Sequence, residues 1–87
     1  MEDYKKAITE IIKKQKEIVG PTVALSVAQK ATSVKLSASG EVMEIIGDPK
    51  TALEQVAESY INFSGEISKM ILKSVMKTYP DITINHL

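Results

Sequence analysis

Apolar residues recur every three or four positions along the first stretch of the chain, from Glu2 to Val19. This spacing is the period of an amphipathic helix. Gly20 and Pro21 follow and predict its end, because neither residue continues a helix well. Pro21 can occupy the first turn of a second helix. We expect that helix to reach Ala31 and to be buried, since it is apolar around most of its circumference.

After this point the period changes from that of a helix to that of a strand. Val34 and Leu36 alternate with polar residues, and the segment 42–46 is rich in β-branched side chains, which predicts two short strands. The residues 38–41 between them fit a tight hairpin loop in which Gly40 adopts a positive φ. Because a two-stranded hairpin is marginal in water, it must pack on helices or pair with a second copy.

The longest predicted element begins at Asp48, a good N-cap, and Pro49, which suits the first helical position. Its apolar stripe keeps a helical period to about Tyr79, where Pro80 ends it. A continuous helix of about 30 residues would be about 45 Å long. A compact chain of 87 residues has a radius of gyration of roughly 12 Å and is about 30 Å across. The helix therefore either projects and packs on another molecule or breaks near Gly65. We favour one long helix, bent at most at that glycine.

The tail from Asp81 to Leu87 alternates like a strand, but it follows a proline and lies at a terminus. The pattern leaves its order open. No internal repeat or linker interrupts the sequence, so we interpret residues 1–87 as one small domain. The predicted fold class is α+β, with N-terminal helices, a short antiparallel β-hairpin and a long C-terminal helix.

Composition narrows the possible functions. The basic residues number 11, all lysine, the acidic residues also number 11, and cysteine is absent. The lack of arginine removes the planar group best suited to phosphate and guanine, and the lack of cysteine excludes disulfides, thiolate nucleophiles and cysteine-ligated metals. Charges interrupt the first twenty residues, so we expect no signal peptide, no membrane span and a cytoplasmic protein. A chain this short buries only about 60 to 65% of its unfolded surface, so a partner copy would add stability.

Catalytic patterns are missing from the sequence. His86 stands one residue from the C-terminus, where it is a poor general base. No serine lies in a G-x-S-x-G turn, and the acidic residues are scattered. We therefore expect a protein that is not an enzyme and uses no metal or cofactor.

A weak anion site is one minor hypothesis. The segment of Asp48, Lys50 and Thr51 opens a predicted helix, and a helix N-terminus beside a lysine can hold an anion loosely. It lacks the first glycine and the spacer of a phosphate-binding loop, so helix capping explains the same residues.

Nucleic-acid binding is the alternative function. The lysines that would form its surface fall on the first helix and in a stripe near the end of the last one: Lys5, Lys6, Lys13, Lys14, Lys16, Lys69, Lys73 and Lys77. The zero net charge and the lack of an aromatic platform argue against nucleic acid as a partner. Two basic stripes placed side by side in a dimer would still form a weak, salt-sensitive surface.

The charge order of the predicted long helix supports self-association. Along this helix the acidic residues Glu54, Glu58 and Glu66 come before the lysines Lys69, Lys73 and Lys77. This order suits the helix dipole and equally suits an antiparallel partner. Five residues would fill the seam: Tyr60, Ile67, Met70, Ile71 and Val75. We therefore predict a non-enzymatic interaction or adaptor module that forms a homodimer and binds a protein partner or a small ligand.

Overall fold

The computed structural model describes residues 2–82, which form four helices and one hairpin. The elements, in chain order, are α1 (Glu2–Val19), α2 (Pro21–Ala28), β1 (Val34–Leu36), β2 (Val42–Ile45), α3 (Pro49–Ser64) and α4 (Glu66–Met76). The predicted α+β class and the order of helices and hairpin are confirmed. The predicted strand-like tail, with His86, lies outside the described residues except for its first two positions.

The junction between α1 and α2 follows the local sequence. α1 ends at Val19 and α2 begins at Pro21, as predicted. The second helix is shorter than expected, because it ends at Ala28 and the next two residues form a turn. It is also only partly buried, since Ala24 faces the core whereas Val23 is exposed. A helix this short lies at the surface, with one side against its neighbours.

The hairpin packs on α1, one of the two supports that the sequence allowed. Val34 pairs with Ile45 across the antiparallel strands, and the register then shifts so that Leu36 lies opposite Val42. This shift leaves Met43 as the extra residue of a β-bulge. At the outer side of β2, the backbone N–H of Val42 donates to Thr9 Oγ1 of α1 at 3.2 Å, which fixes the strand on the helix.

The prediction of one long closing helix is wrong. The helix ends at Ser64 and a new helix begins at Glu66. Gly65 between them has φ 56° and ψ −120°, a conformation that glycine adopts readily and other residues do not. α4 consequently packs against both α1 and α3, and the described chain measures only 27 × 26 × 19 Å. Among residues 2–82 no helix projects from the body, so the mismatch between helix length and body size no longer argues for a partner.

The core lies between the four helices and the inner side of the hairpin. Tyr60 is the largest fully buried side chain, and its hydroxyl donates to the Ala24 carbonyl of α2 at 2.7 Å. Burial raises the pKa of this phenol well above its ordinary value. The hydroxyl therefore stays protonated and links α3 to α2.

Candidate interaction surface on α1 and α4

The five residues predicted to form a self-association seam divide into two groups. Tyr60, Ile71 and Val75 are only 0%, 9% and 2% exposed, because this chain's own elements cover them. Ile67 and Met70 are 53% and 70% exposed. The break at Gly65 separates Tyr60 from the other four residues, which all lie on α4. Within α4, Ile71 and Val75 lie on the buried face and Ile67 and Met70 on the outer one. Only the second group remains available to a partner.

Ile18, in the last turn of α1, is 56% exposed and lines the same groove as Met70. This groove, of about 200 Å³, lies between α1 and α4 and is also lined by Lys14, Glu17, Ile71 and Ser74. Ile67 lies one turn before Met70 on α4, and residues three apart share a helix face. We call Ile18, Ile67 and Met70 the α1–α4 patch. The sequence did not single out Ile18, because its spacing assigns it to the core stripe of α1.

A buried polar chain joins α1 to α4. Gln15 Nε2 donates to Ser68 Oγ at 3.0 Å, and the Ser68 hydroxyl contacts that of Ser64. The Ser64 hydroxyl in turn donates to the Tyr60 carbonyl at 3.4 Å. Gln15 Oε1 is buried and has no hydrogen-bond partner within the described part of the chain. These hydrogen bonds fix the position of α4 on α1 and α3, and therefore the positions of Ile67 and Met70 in the α1–α4 patch.

The sequence did contain a signal for this polar chain. Gln15 follows Ile8, Ile11 and Ile12 at the spacing of the buried face of α1. A polar side chain at such a position needs a polar partner in the core. Ser68 supplies that partner from a helix 53 positions along the chain, which no local pattern identifies.

The start of α3 is capped by the protein's own carboxylate. Asp48 Oδ2 accepts hydrogen bonds from the Thr51 backbone N–H at 3.0 Å and from Thr51 Oγ1 at 2.9 Å. The predicted N-cap at Asp48 and the proline at the first helical position are confirmed. An external anion near Lys50 would have to compete with this carboxylate and be repelled by it. The weak anion site therefore stays a prediction, and the Asp48 carboxylate already occupies the position that an anion would take.

Four of the predicted nucleic-acid lysines line two adjoining grooves between α1 and the hairpin loop, of about 470 and 380 Å³: Lys5, Lys6, Lys13 and Lys16. Glu10 and Glu41 line both grooves as well. The Lys16 ammonium also donates to the carbonyl of Ser39 in the loop. Each groove thus combines two lysines with two carboxylates, which weakens its attraction for a phosphate backbone.

The remaining predicted lysines lie elsewhere. Lys14 borders the groove of the α1–α4 patch beside Glu17. Lys69 forms an ion pair with Glu66 at 3.6 Å, and Lys73 and Lys77 are exposed in and just after α4. The lysines of α1 are thus divided between the hairpin side and the α4 side of that helix.

Within residues 2–82, no group of three or more His, Asp or Glu side chains is arranged to hold a metal ion. None of the helices described there is long and apolar enough to cross a membrane. No protein-family model matches the chain, and neither a curated protein nor a solved structure matches it. Function must therefore be argued from the chain's own surface.

Proposed function

We propose that this protein is a non-enzymatic, cytoplasmic interaction module that self-associates through the α1–α4 patch. The observation that carries the proposal is the exposure of Ile18, Ile67 and Met70 by more than half on two neighbouring helices. Single exposed apolar side chains are ordinary, but adjoining ones with a polar rim are typical of an interaction site. The rim here includes Lys14 and Glu17.

The groove within the patch favours a protein partner over a small ligand. Its volume is about 200 Å³, whereas cavities that enclose small ligands usually measure about 300 to 1,000 Å³. A groove of this size can receive one or two side chains of another protein. Met70 suits that role because its thioether adapts to irregular surfaces.

Charge supports a second copy as the partner. In a two-fold dimer, each surface meets the same surface of the other chain. Antiparallel pairing of two α4 helices about Met70 places Glu66 of one chain near Lys73 of the other, because these residues lie on opposite sides of Met70. Such pairs at the rim set orientation more than affinity. We expect a weak dimer, since three apolar side chains per chain form a small interface.

Replacement of Met70 by lysine tests the proposal. Met70→Lys places a charge at the centre of the interface twice per dimer, so we expect it to raise the dissociation constant about a hundredfold or more. Sedimentation equilibrium between micromolar and millimolar chain concentrations measures the constant. The control is Met43→Lys, because Met43 is similarly exposed, at 65%, but lies on the hairpin. It should leave association unchanged.

Two results would overturn the proposal. One is a wild-type protein that remains a 9.5 kDa monomer at millimolar concentration. The other is a dimer that Met43→Lys and Met70→Lys weaken equally, since association would then depend on net charge rather than on the patch. Circular dichroism of both variants verifies that each is folded.

A further inference from the structure

We infer that the groove on α1 and α3 that holds α4 can also hold the α4 of a second copy, with Gly65 as the hinge of the exchange. The two chains would then trade α4 and the residues that follow it. This exchange uses the buried face of α4, so it is independent of the α1–α4 patch and of the function proposed above.

The hinge consists of a single residue. The Gly65 backbone N–H donates to the Ile61 carbonyl at 2.7 Å, and the Gly65 carbonyl accepts from the Lys69 N–H at 3.1 Å. Helical hydrogen bonds therefore reach Gly65 from both sides. Rotation of this one backbone into the α-helical region joins α3 and α4 into one helix.

The sequence is compatible with the joined helix. The apolar period continues across Gly65, which is why residues 49–79 read as one helix. Straightened, residues 49–76 would extend about 42 Å at 1.5 Å per residue. The longest dimension of the described chain is 27 Å, so a straight helix would carry α4 away from its own α1.

A released α4 can bind the α1 and α3 surface of a second copy. Its buried side chains are Ser68, Ile71, Leu72 and Val75, and exposure of this face to water is unfavourable. The α1 and α3 of a second copy offer the same surface, including Gln15 as the partner of Ser68. The exchanged dimer thus restores every contact of the closed chain except the turn itself, which is the condition for domain swapping. Short hinges favour such exchange.

Gly65→Ala is the test, because alanine disfavours the closed form and favours the straight one. Alanine is strained at the φ of 56° that Gly65 adopts. Because an added Cβ would meet no atom within 4 Å, the penalty comes from the backbone conformation and not from a clash. The conformational penalty and the better helix propensity together should favour the straight helix roughly thirtyfold or more per chain, and the exchanged dimer of two chains about a thousandfold. Insertion of three glycines after Gly65 is the opposite control, since a longer hinge lets α4 return to its own chain.

Cross-linking distinguishes exchange from association through the patch. The chain has no cysteine, so Lys14→Cys with Ser74→Cys provides the only two thiols. Both residues are exposed and line the same groove, one on α1 and one on α4. A short bis-maleimide should link them within one chain in the closed form and between two chains in the exchanged form. Met70→Lys is included in every protein so that the patch does not contribute.

We expect Gly65→Ala to give mainly interchain links after refolding at millimolar concentration, and the glycine insertion to give only intrachain links. A folded Gly65→Ala protein that links only within chains overturns the inference. If Gly65→Ala does not fold, the test uses the protein that keeps Gly65 and carries the two cysteines and Met70→Lys. It is refolded at the same concentration and cross-linked in the same way. Interchain links that the glycine insertion removes then support the exchange, and their absence overturns it.

Discussion

Gly40 is buried where the hairpin loop meets the first two helices. Its φ is 92°, a region that side chains with a Cβ adopt rarely. A Cβ built there would lie 2.8 Å from Leu25 Cδ2 and 3.2 Å from Ile12 Cγ2. The backbone conformation therefore favours glycine at this position, and an added Cβ would also force the ends of the Leu25 and Ile12 side chains to shift.

Gly40→Ala should lower the free energy of unfolding by about 2 to 4 kcal/mol, as the sum of backbone strain and overpacking. Urea denaturation measures the loss. Gly47→Ala is the matched control, because Gly47 has a similar φ of 82° with no atom within 4 Å of the added Cβ. It should lose only the part due to strain, about 1 to 2 kcal/mol. Equal losses in the two variants would show that the loop does not press against α1 and α2.

At the scale of elements, one polar chain ties three helices together. Gln15 reaches Ser68 across the α1–α4 contact, and Ser64 lies immediately before the break at Gly65. The buried Gln15 Oε1 already lacks a partner, so the loss of Ser68 would leave the whole amide group unsatisfied. Replacement of both Gln15 and Ser68 by apolar residues leaves fewer buried polar groups without a partner than replacement of Ser68 alone.

A double-mutant cycle over these two residues should therefore be strongly non-additive. We expect Ser68→Ala to cost about 1 to 3 kcal/mol and Gln15→Met to cost about 1 kcal/mol or less. The double variant should be more stable than Ser68→Ala alone. Urea denaturation of the four proteins gives the coupling energy, and additive losses would contradict the buried hydrogen bond.

Element boundaries were predictable where one or two local residues decide them. Pro21, Asp48 and Pro49 fix helix starts whatever the rest of the chain does, and Gly40 fits only the loop. The break at Gly65 was not predictable in the same way. A glycine inside a helix costs only about 1 kcal/mol, so the local sequence permits both outcomes. The contacts of α4 with α1 decide between them, and these join residues far apart in sequence.

For the candidate surface too, the sequence identified apolar residues but not which of them another element covers. Ile67 and Met70 are exposed, and their part in a self-association seam stays a prediction. Tyr60 was assigned to the same face only because α3 and α4 were read as one helix. Ile18 was overlooked because a helical period identifies an apolar residue but not whether another element covers it. Coverage depends on the position of α4, which again is a long-range property.

At the scale of the whole molecule, positive and negative charges are interspersed rather than separated. The net charge is zero, and both grooves beside the hairpin contain Glu10 and Glu41 together with lysines. A surface of this kind attracts a polyanion little, because each phosphate contact is offset by repulsion from a nearby carboxylate.

We accordingly expect the protein to bind a short DNA duplex no more tightly than about 100 µM at physiological salt. Fluorescence anisotropy of a labelled duplex measures this. A variant with Glu10→Gln and Glu41→Gln raises the net charge by two and should bind more tightly, with a steeper dependence on salt. Tight, salt-sensitive binding by the wild type would contradict this expectation and support nucleic-acid binding as the function.

The bulge at Met43 makes the hairpin a poor template for strands of other chains. An ordinary exposed strand edge is a template on which further strands can add without limit. Here the irregular step in β2 distorts one edge, and Thr9 already occupies the Val42 amide. The other strand has only three residues, too few for a firm ladder. A contact between helices, such as the dimer proposed above, is therefore favoured over open fibrils built from this hairpin.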